Sequence, residues 1–361
     1  MNQTTAIFFE LLQVAIGQRQ CLSAVPSDEE WQALYQMAKE QSLLGVLFHG
    51  IQRANLHFDQ DLLLKWYSVS EQIKLENLHT NKAAVKLTRF FAKKGFRTCI
   101  LKGQSNLQNY PDPYIRTSGD IDVWVEGGQE KVLPFAQRYV PADYLCCYHH
   151  IEFKPMGDIE IEVHYRPSFM NSPIHNRRLQ RWFTHKADGQ FSHQVELPDG
   201  VGRICTPTNV FNRIFQMAHI SNHFFHEGIG LRQILDYYFV LQQGFTDEER
   251  QHDERLLKHL GLYKMATAVM FVLRDVLCLE PRLMIVPADE RLGRFLLDEI
   301  LQAGNFGQYD RRVEQEQGRL AKNVQRIKRD IRLVSYFPSE CLWEPVFRWY
   351  HFFWRLRYKN V

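Results

Sequence analysis

The stretch Leu101-Lys102-Gly103, followed by Arg116-Thr117-Ser118-Gly119-Asp120-Ile121-Asp122-Val123-Trp124-Val125, carries residue types suited to phosphate chemistry. Alternation along a strand sends Asp120 and Asp122 to one side and Ile121 and Val123 into a core. Two carboxylates held that close repel each other, a cost relieved by a cation between them or by protonating one. Hard oxygen donors in this arrangement suit Mg2+ or Mn2+, which bind through one or two carboxylates together with substrate phosphates. The same rule finds a third acid in Asp158-Ile159-Glu160-Ile161-Glu162-Val163-His164, where the even positions share one face. If that strand lies beside the first, Glu160 or Glu162 completes an acidic triad, which suits two-metal activation of a hydroxyl and stabilisation of a departing pyrophosphate. Gly103 permits close approach of backbone to a phosphate, and Lys102 supplies a positive charge there. Arg116 is placed to fork onto a pair of triphosphate oxygens, or else to serve as a buried partner for Asp120.

The elements that must position these residues are legible in outline. Residues 97–101 read as a short buried strand, 104–110 as a polar helical stretch, and Tyr110-Pro111-Asp112-Pro113 as a loop. Ile121 to Val125 is a strand closed by Gly127-Gly128, a helix follows over 129–139, and strands are expected at 145–153 and 159–165. This order predicts an α+β fold, a small mixed sheet backed by helices, over residues 96–200. Helical regions flank it over 1–95 and 201–361. In the first, Ser27-Asp28-Glu29-Glu30 is a capping box opening a helix to about His49, and a long helix is expected from Asp59 to Lys94. In the last, helices are expected near 208–226, 229–243, 247–260, 263–278, 289–303, 312–335 and 343–357.

With these residues in view, the segment resembles the nucleotidyltransferase superfamily with the polymerase-β-type fold. More narrowly it resembles the bacterial "uncharacterised nucleotidyltransferase" family, through Leu101-Lys102-Gly103, Tyr110-Pro111, Arg116 and Gly119-Asp120-Ile121-Asp122. It is also similar to abortive-infection nucleotidyltransferase toxins, whose Arg-x-Ser-x-Asp-x-Asp core is matched by Arg116 to Asp122. The resemblance implies that Asp120 and Asp122 bind metal and that an acid followed by x-His is the third carboxylate. That assigns Glu162, with His164 after it, over Glu160. The superfamily opens its motif with Gly-Ser, and here Lys102-Gly103-Gln104-Ser105 stands instead, so phosphate handling falls to Lys102 or Ser105. The likeness is strongest over 98–166 and runs loosely through Gly228 to Asp236 and Phe337-Pro338-Ser339.

Other constellations have plainer readings. His219, His223 and His226 share one face of a helix, as core histidines, as a lining of the nucleotide cleft, or as a zinc site lacking the glutamate of the usual hydrolase motif. His149 and His150 are adjacent on a strand and are expected to face opposite ways. The C-terminal segment from Val346 to Lys359 mixes aromatic and cationic residues. It reads as a docked terminal helix, an RNA or DNA surface, or a membrane interface.

Composition sets the frame. The 361 residues are 45% hydrophobic and 24% charged, enough for a full core, and the net charge is +3. From Arg311 to Val361 there are twelve Arg/Lys against five Asp/Glu, so the tail is the basic part. Seven scattered Cys without a C-x-x-C pair suit a reduced, cytoplasmic protein. No run is apolar enough to span a membrane, and the N-terminus lacks the charge pattern of a signal peptide. The sequence therefore predicts an enzyme that moves a nucleoside monophosphate from a nucleoside triphosphate to an unidentified acceptor, RNA or another polyanion among the candidates. The alternatives are a nucleotide- or RNA-binding module without turnover and, as a lesser one, a zinc hydrolase.

Overall fold

The computed structural model describes residues 2–140, 144–154, 159–312 and 319–358. The N-terminal helices are α1 (Gln3–Ala15), α2 (Asp28–Glu40), α3 (Leu44–Arg53) and α4 (Gln60–Lys93). The capping box is present: Ser27 accepts from the Glu30 amide, and the Glu30 carboxylate accepts from the Ser27 amide. The single helix expected to His49 is instead two, broken where Ser42 adopts φ +55°. That break frees Gln41 to accept from the Leu231 amide at 2.8 Å, a buried bond to a distant helix.

A sheet of four strands holds the centre of the motif: β1 (Thr98–Ile100), β2 (Ile121–Val125), β3 (His150–Glu152) and β4 (Ile161–His164). Its order is β1-β2-β4-β3, with β2 and β4 parallel and the two outer pairs antiparallel. Every residue of β2 is buried, as a strand covered on both faces requires. Ile121, Val123, Val125, Ile161 and Val163 enter one apolar cluster with Phe91, Phe153 and α5 (Gly128–Ala136). Trp124 enters a larger one, with Phe183, Phe191 and Phe211. The polar stretch after β1 forms two short 3-10 turns, 103–105 and 107–109, in place of the expected helix. Asn106 and Asn109, poor helix formers, stand in it.

Between sheet and C-terminal helices the structure adds elements that the periodicity had not indicated. These are α6 (Pro173–Ser192), opened by Ser172 with Pro173 at its first position, and a hairpin of β5 (Gln194–Glu196) and β6 (Arg203–Cys205). The following helices are α7 (Asn209–His226), α8 (Leu231–Gln242), α9 (Asp247–Leu260), α10 (Tyr263–Leu277), α11 (Glu290–Ala303), α12 (Arg319–Val334) and α13 (Pro338–Tyr358). N-terminal and C-terminal helices share the larger cluster, in which Phe8, Leu11 and Leu12 join Leu235, Val269 and Leu273. The mixed α+β class expected from the sequence is the class observed.

Candidate active site

The parallel pairing of β2 with β4 sets Asp122 and Glu162 at the same register position on neighbouring strands. His164, two residues on, shares their side of the sheet. Its Nε2 lies 2.8 Å from Asp122 Oδ1 and 3.3 Å from Glu162 Oε2. Lys102 leaves the end of β1 and brings Nζ to 2.8 Å from that same Asp122 oxygen. Glu162 Oε2 is also 3.2 Å from His150 Nδ1. Asp122, Glu162 and His164 have ligand atoms within 4.8 Å of one another, a spacing that one metal ion can bridge.

Asp120 sits one residue before β2, half-buried. It lines a small cavity of about 30 Å³ shared with Lys102, Asp122, His219 and Arg232. It also lines an open cleft of about 640 Å³ bordered by Glu76 and His79 of α4 and by Glu160. Asp120 is therefore the acid at the mouth, and Asp122 the acid at the floor. Glu160 is exposed, with its backbone carbonyl accepting from the Ile121 amide, whereas Glu162 reaches the histidines.

Electrostatics follow this placement. Burial and the neighbouring Asp122 push the Asp120 carboxyl up to about 6. Burial works against the Asp122 charge, but Lys102 and His164 overcome it and hold that carboxyl well below the usual range. Burial likewise opposes the Glu162 charge, and His150 and His164 lower it. For His164, hydrogen bonds to Asp122 and Glu162 outweigh burial and push it up to about 9. Burial holds His150 down to about 4. Two like charges are thus kept ionised by a lysine and an imidazolium, with a third acid titrating at the entrance.

Arg116 lines the small cavity with the acids, but its buried partner is not Asp120. Its Nε and Nη2 make a two-pronged ion pair with Asp236 of α8, each bond 2.8 Å, where Tyr110 also donates to Asp236 at 2.7 Å. The arginine clamps the 110–120 loop to α8, and its fork is spent on a carboxylate within the protein. The loop is pinned further where Asn77 donates to the Arg116 carbonyl at 2.8 Å and Arg232 to the Thr117 carbonyl at 3.1 Å. Arg232, inside the looser likeness from Gly228 to Asp236, lies beside Asp120 and lines the small cavity. Ser105 turns its hydroxyl back onto the Leu101 carbonyl at 3.1 Å and lines neither cavity at the acids. Gly103 has φ +46°, which glycine adopts without strain, and this turns Lys102 toward the acids.

The histidine expectations divide. His149 and His150 do converge, ring nitrogens 3.0 Å apart, because His149 lies outside β3 and escapes strand alternation. His219 and His223 meet, their ring centroids 4.3 Å apart, but the three histidines turn their nitrogens to different partners. His219 lines the small cavity, His223 pairs with Glu227 at 3.0 Å, and His226 Nδ1 bonds the Asn222 carbonyl at 2.8 Å. Among the described residues, the three are not a group whose ligand atoms lie close enough together to hold one ion.

A model of the uncharacterised nucleotidyltransferases matches residues 27–277, well over half of the chain and the whole of the site. The chain belongs to that family. Among solved structures, the crystal structure of an antigenic nucleotidyltransferase-like protein from Paracoccidioides brasiliensis matches at 13% identity, covering 59% of this chain and 96% of that one, with a TM-score of 0.33. Among curated proteins, none matches the sequence. The family's matched span takes in Asp236 as well as Lys102 and the acids, so the clamp on the loop falls inside it.

Proposed function

We propose that the protein transfers a nucleoside monophosphate from a nucleoside triphosphate to an acceptor hydroxyl. The observation that carries this reading is the pairing of Asp122 with Glu162 across parallel strands, with Asp120 at the cleft and Lys102 on the floor. Bound Mg2+ or Mn2+ would supply charge neutralisation at the triphosphate. The donor set fits such an ion: Asp120, Asp122 and Glu162 offer hard oxygens, and the acids already draw in an ammonium and an imidazole.

In this scheme the acceptor oxygen attacks the α-phosphorus and the α–β bridging bond breaks. Pyrophosphate leaves, and the hydroxyl proton passes to a carboxylate of the cluster, for which Glu162 is placed. Lys102, which pairs with Asp122, and Arg232 beside Asp120 would steady the phosphates. Protein groups position and neutralise, and none needs to bond covalently to substrate. The unpaired cysteines suit a reducing, cytoplasmic setting, and no helix among the described residues is long and apolar enough to cross a membrane.

The test is incubation with each α-labelled nucleoside triphosphate, Mg2+ or Mn2+, and cell extract. Label should appear in acceptor with wild type and vanish with Asp120→Ala/Asp122→Ala. Label of equal strength in that double variant would contradict the assignment. Nucleotide binding without pyrophosphate release, unchanged by Asp122→Asn, would favour a binding module instead.

A further inference from the structure

A second cavity, of about 860 Å³, lies between α6 and α13 and includes none of the three acids. Its cationic lining is Arg166, Arg177, Arg181 and His185, and no acidic side chain lines it. Arg177, Arg181 and His185 recur every four residues along α6, all exposed, which sets them in a row. Arg177 and Arg181 have no ion-pair partner among the described residues. Facing this row are aromatic surfaces. Arg166 lies flat over Tyr148 at 4.2 Å, and Tyr350 of α13 is 52% exposed beside it, 5.9 Å from Tyr148. Asn171, 2% exposed, lines the same cavity, and its Oδ1 has no hydrogen-bond partner.

We infer that this groove holds the acceptor, a single-stranded polynucleotide. The Arg177 and Arg181 guanidinium groups would take its phosphates, and the exposed Tyr350 ring would stack a base. Two unpartnered guanidinium groups facing an exposed tyrosine suit a chain that alternates phosphates with flat bases better than a lipid surface. The inference rests on reading the acid cluster as the transfer centre, and the geometry connects the two. Arg166 stands two residues beyond His164, about 7 Å along the chain. The His149 ring spans the interval, 5.4 Å from His164 and 4.9 Å from Phe169, which stacks on Phe347 of the groove at 4.7 Å. A thin layer of packed rings, His149 and Phe169, is thus what lies between the groove and the Glu162 side of the cluster.

The experiment is fluorescence anisotropy with labelled single-stranded RNA and DNA of about twelve nucleotides, over a salt series. Wild type should bind at least one of them, more weakly as salt rises. Arg177→Glu/Arg181→Glu should weaken binding about tenfold or more, and Tyr350→Ala about fivefold or more. All three substituted residues are exposed, so the fold should survive. Asp122→Asn should bind as wild type does, which separates this inference from the catalytic reading. Undiminished binding by the charge-reversed variant, or none by wild type, overturns the inference. So does charge reversal that leaves polynucleotide binding intact but abolishes co-sedimentation with phosphatidylserine vesicles, since that outcome assigns the row to a membrane. Absence of labelled-nucleotide transfer by wild type, with groove binding intact, would count against the catalytic reading alone.

Discussion

Asp122 and Glu162 occupy partner positions on two parallel strands, and one imidazole nitrogen, Nε2 of His164, touches both carboxylates. The parallel register decides which acid of β4 joins the cluster. A shift of one residue would turn Glu162 away and bring an apolar neighbour into its place. The costly gathering of acids survives because Lys102 and His164 bring compensating charge into the same space.

The Arg116–Asp236 pair leads to a prediction about stability. Both side chains are buried and bonded in two places. Asp236→Ala leaves a buried guanidinium uncompensated and should cost about 3–5 kcal/mol in chemical denaturation. Arg116→Ala should cost a similar amount. An Arg116→Ala variant of wild-type stability with a raised KM for nucleotide would show instead that the arginine serves the triphosphate.

Gly45 of α3 lies against the loop that carries the motif. A Cβ there would stand 2.4 Å from the Ile115 carbonyl oxygen, closer than any contact permits. Gly45→Ala should force helix and loop apart, at a cost of about 1–3 kcal/mol. It should also lower labelling activity, because the loop delivers Asp120. Melting temperature and activity measured together check this, and an alanine variant that matches wild type in both would refute the close packing.

His351 of α13 gives a pH dependence. Its Nε2 accepts from the Tyr148 amide at 3.1 Å, and burial, with Arg355, His226, Arg326 and His150 nearby, holds it down to about 4. An unfolded histidine titrates near ~6.5. The unfolded chain therefore binds the proton first, and this contribution to stability is whole above about 6.5 and is lost as pH falls toward 4. His226 is lowered by burial in the same sense. Denaturant midpoints should fall between pH 6.5 and 4, and His351→Gln should flatten part of that fall. A midpoint that rises on acidification over this range would contradict the assignment.

How far the sequence reached is a matter of interaction range. Asp120 and Asp122 were legible because strand alternation is local, with a period of two residues; alternation left Glu160 and Glu162 both open, and the family resemblance chose Glu162. The partner of Arg116 was not legible because Asp236 lies 120 residues away, in a stretch whose looser likeness does not say what it bonds. The α6 helix escaped because it is polar around most of its circumference, burying Leu179, Phe183, Gln190 and Phe191. The Ser172-Pro173 start was the signal available for it. His149 and His150 were expected to part, and a strand that begins one residue later brings them together.

The most direct test of the central claim is Mn2+ binding, followed by electron paramagnetic resonance of the free ion. Wild type should take up Mn2+, and Glu162→Gln should weaken that uptake about tenfold or more, as expected when a coordinating group loses its charge. Glu160→Gln, on the same strand but exposed, should bind as wild type does. Equal binding by all three proteins, or a loss confined to Glu160→Gln, would contradict the account.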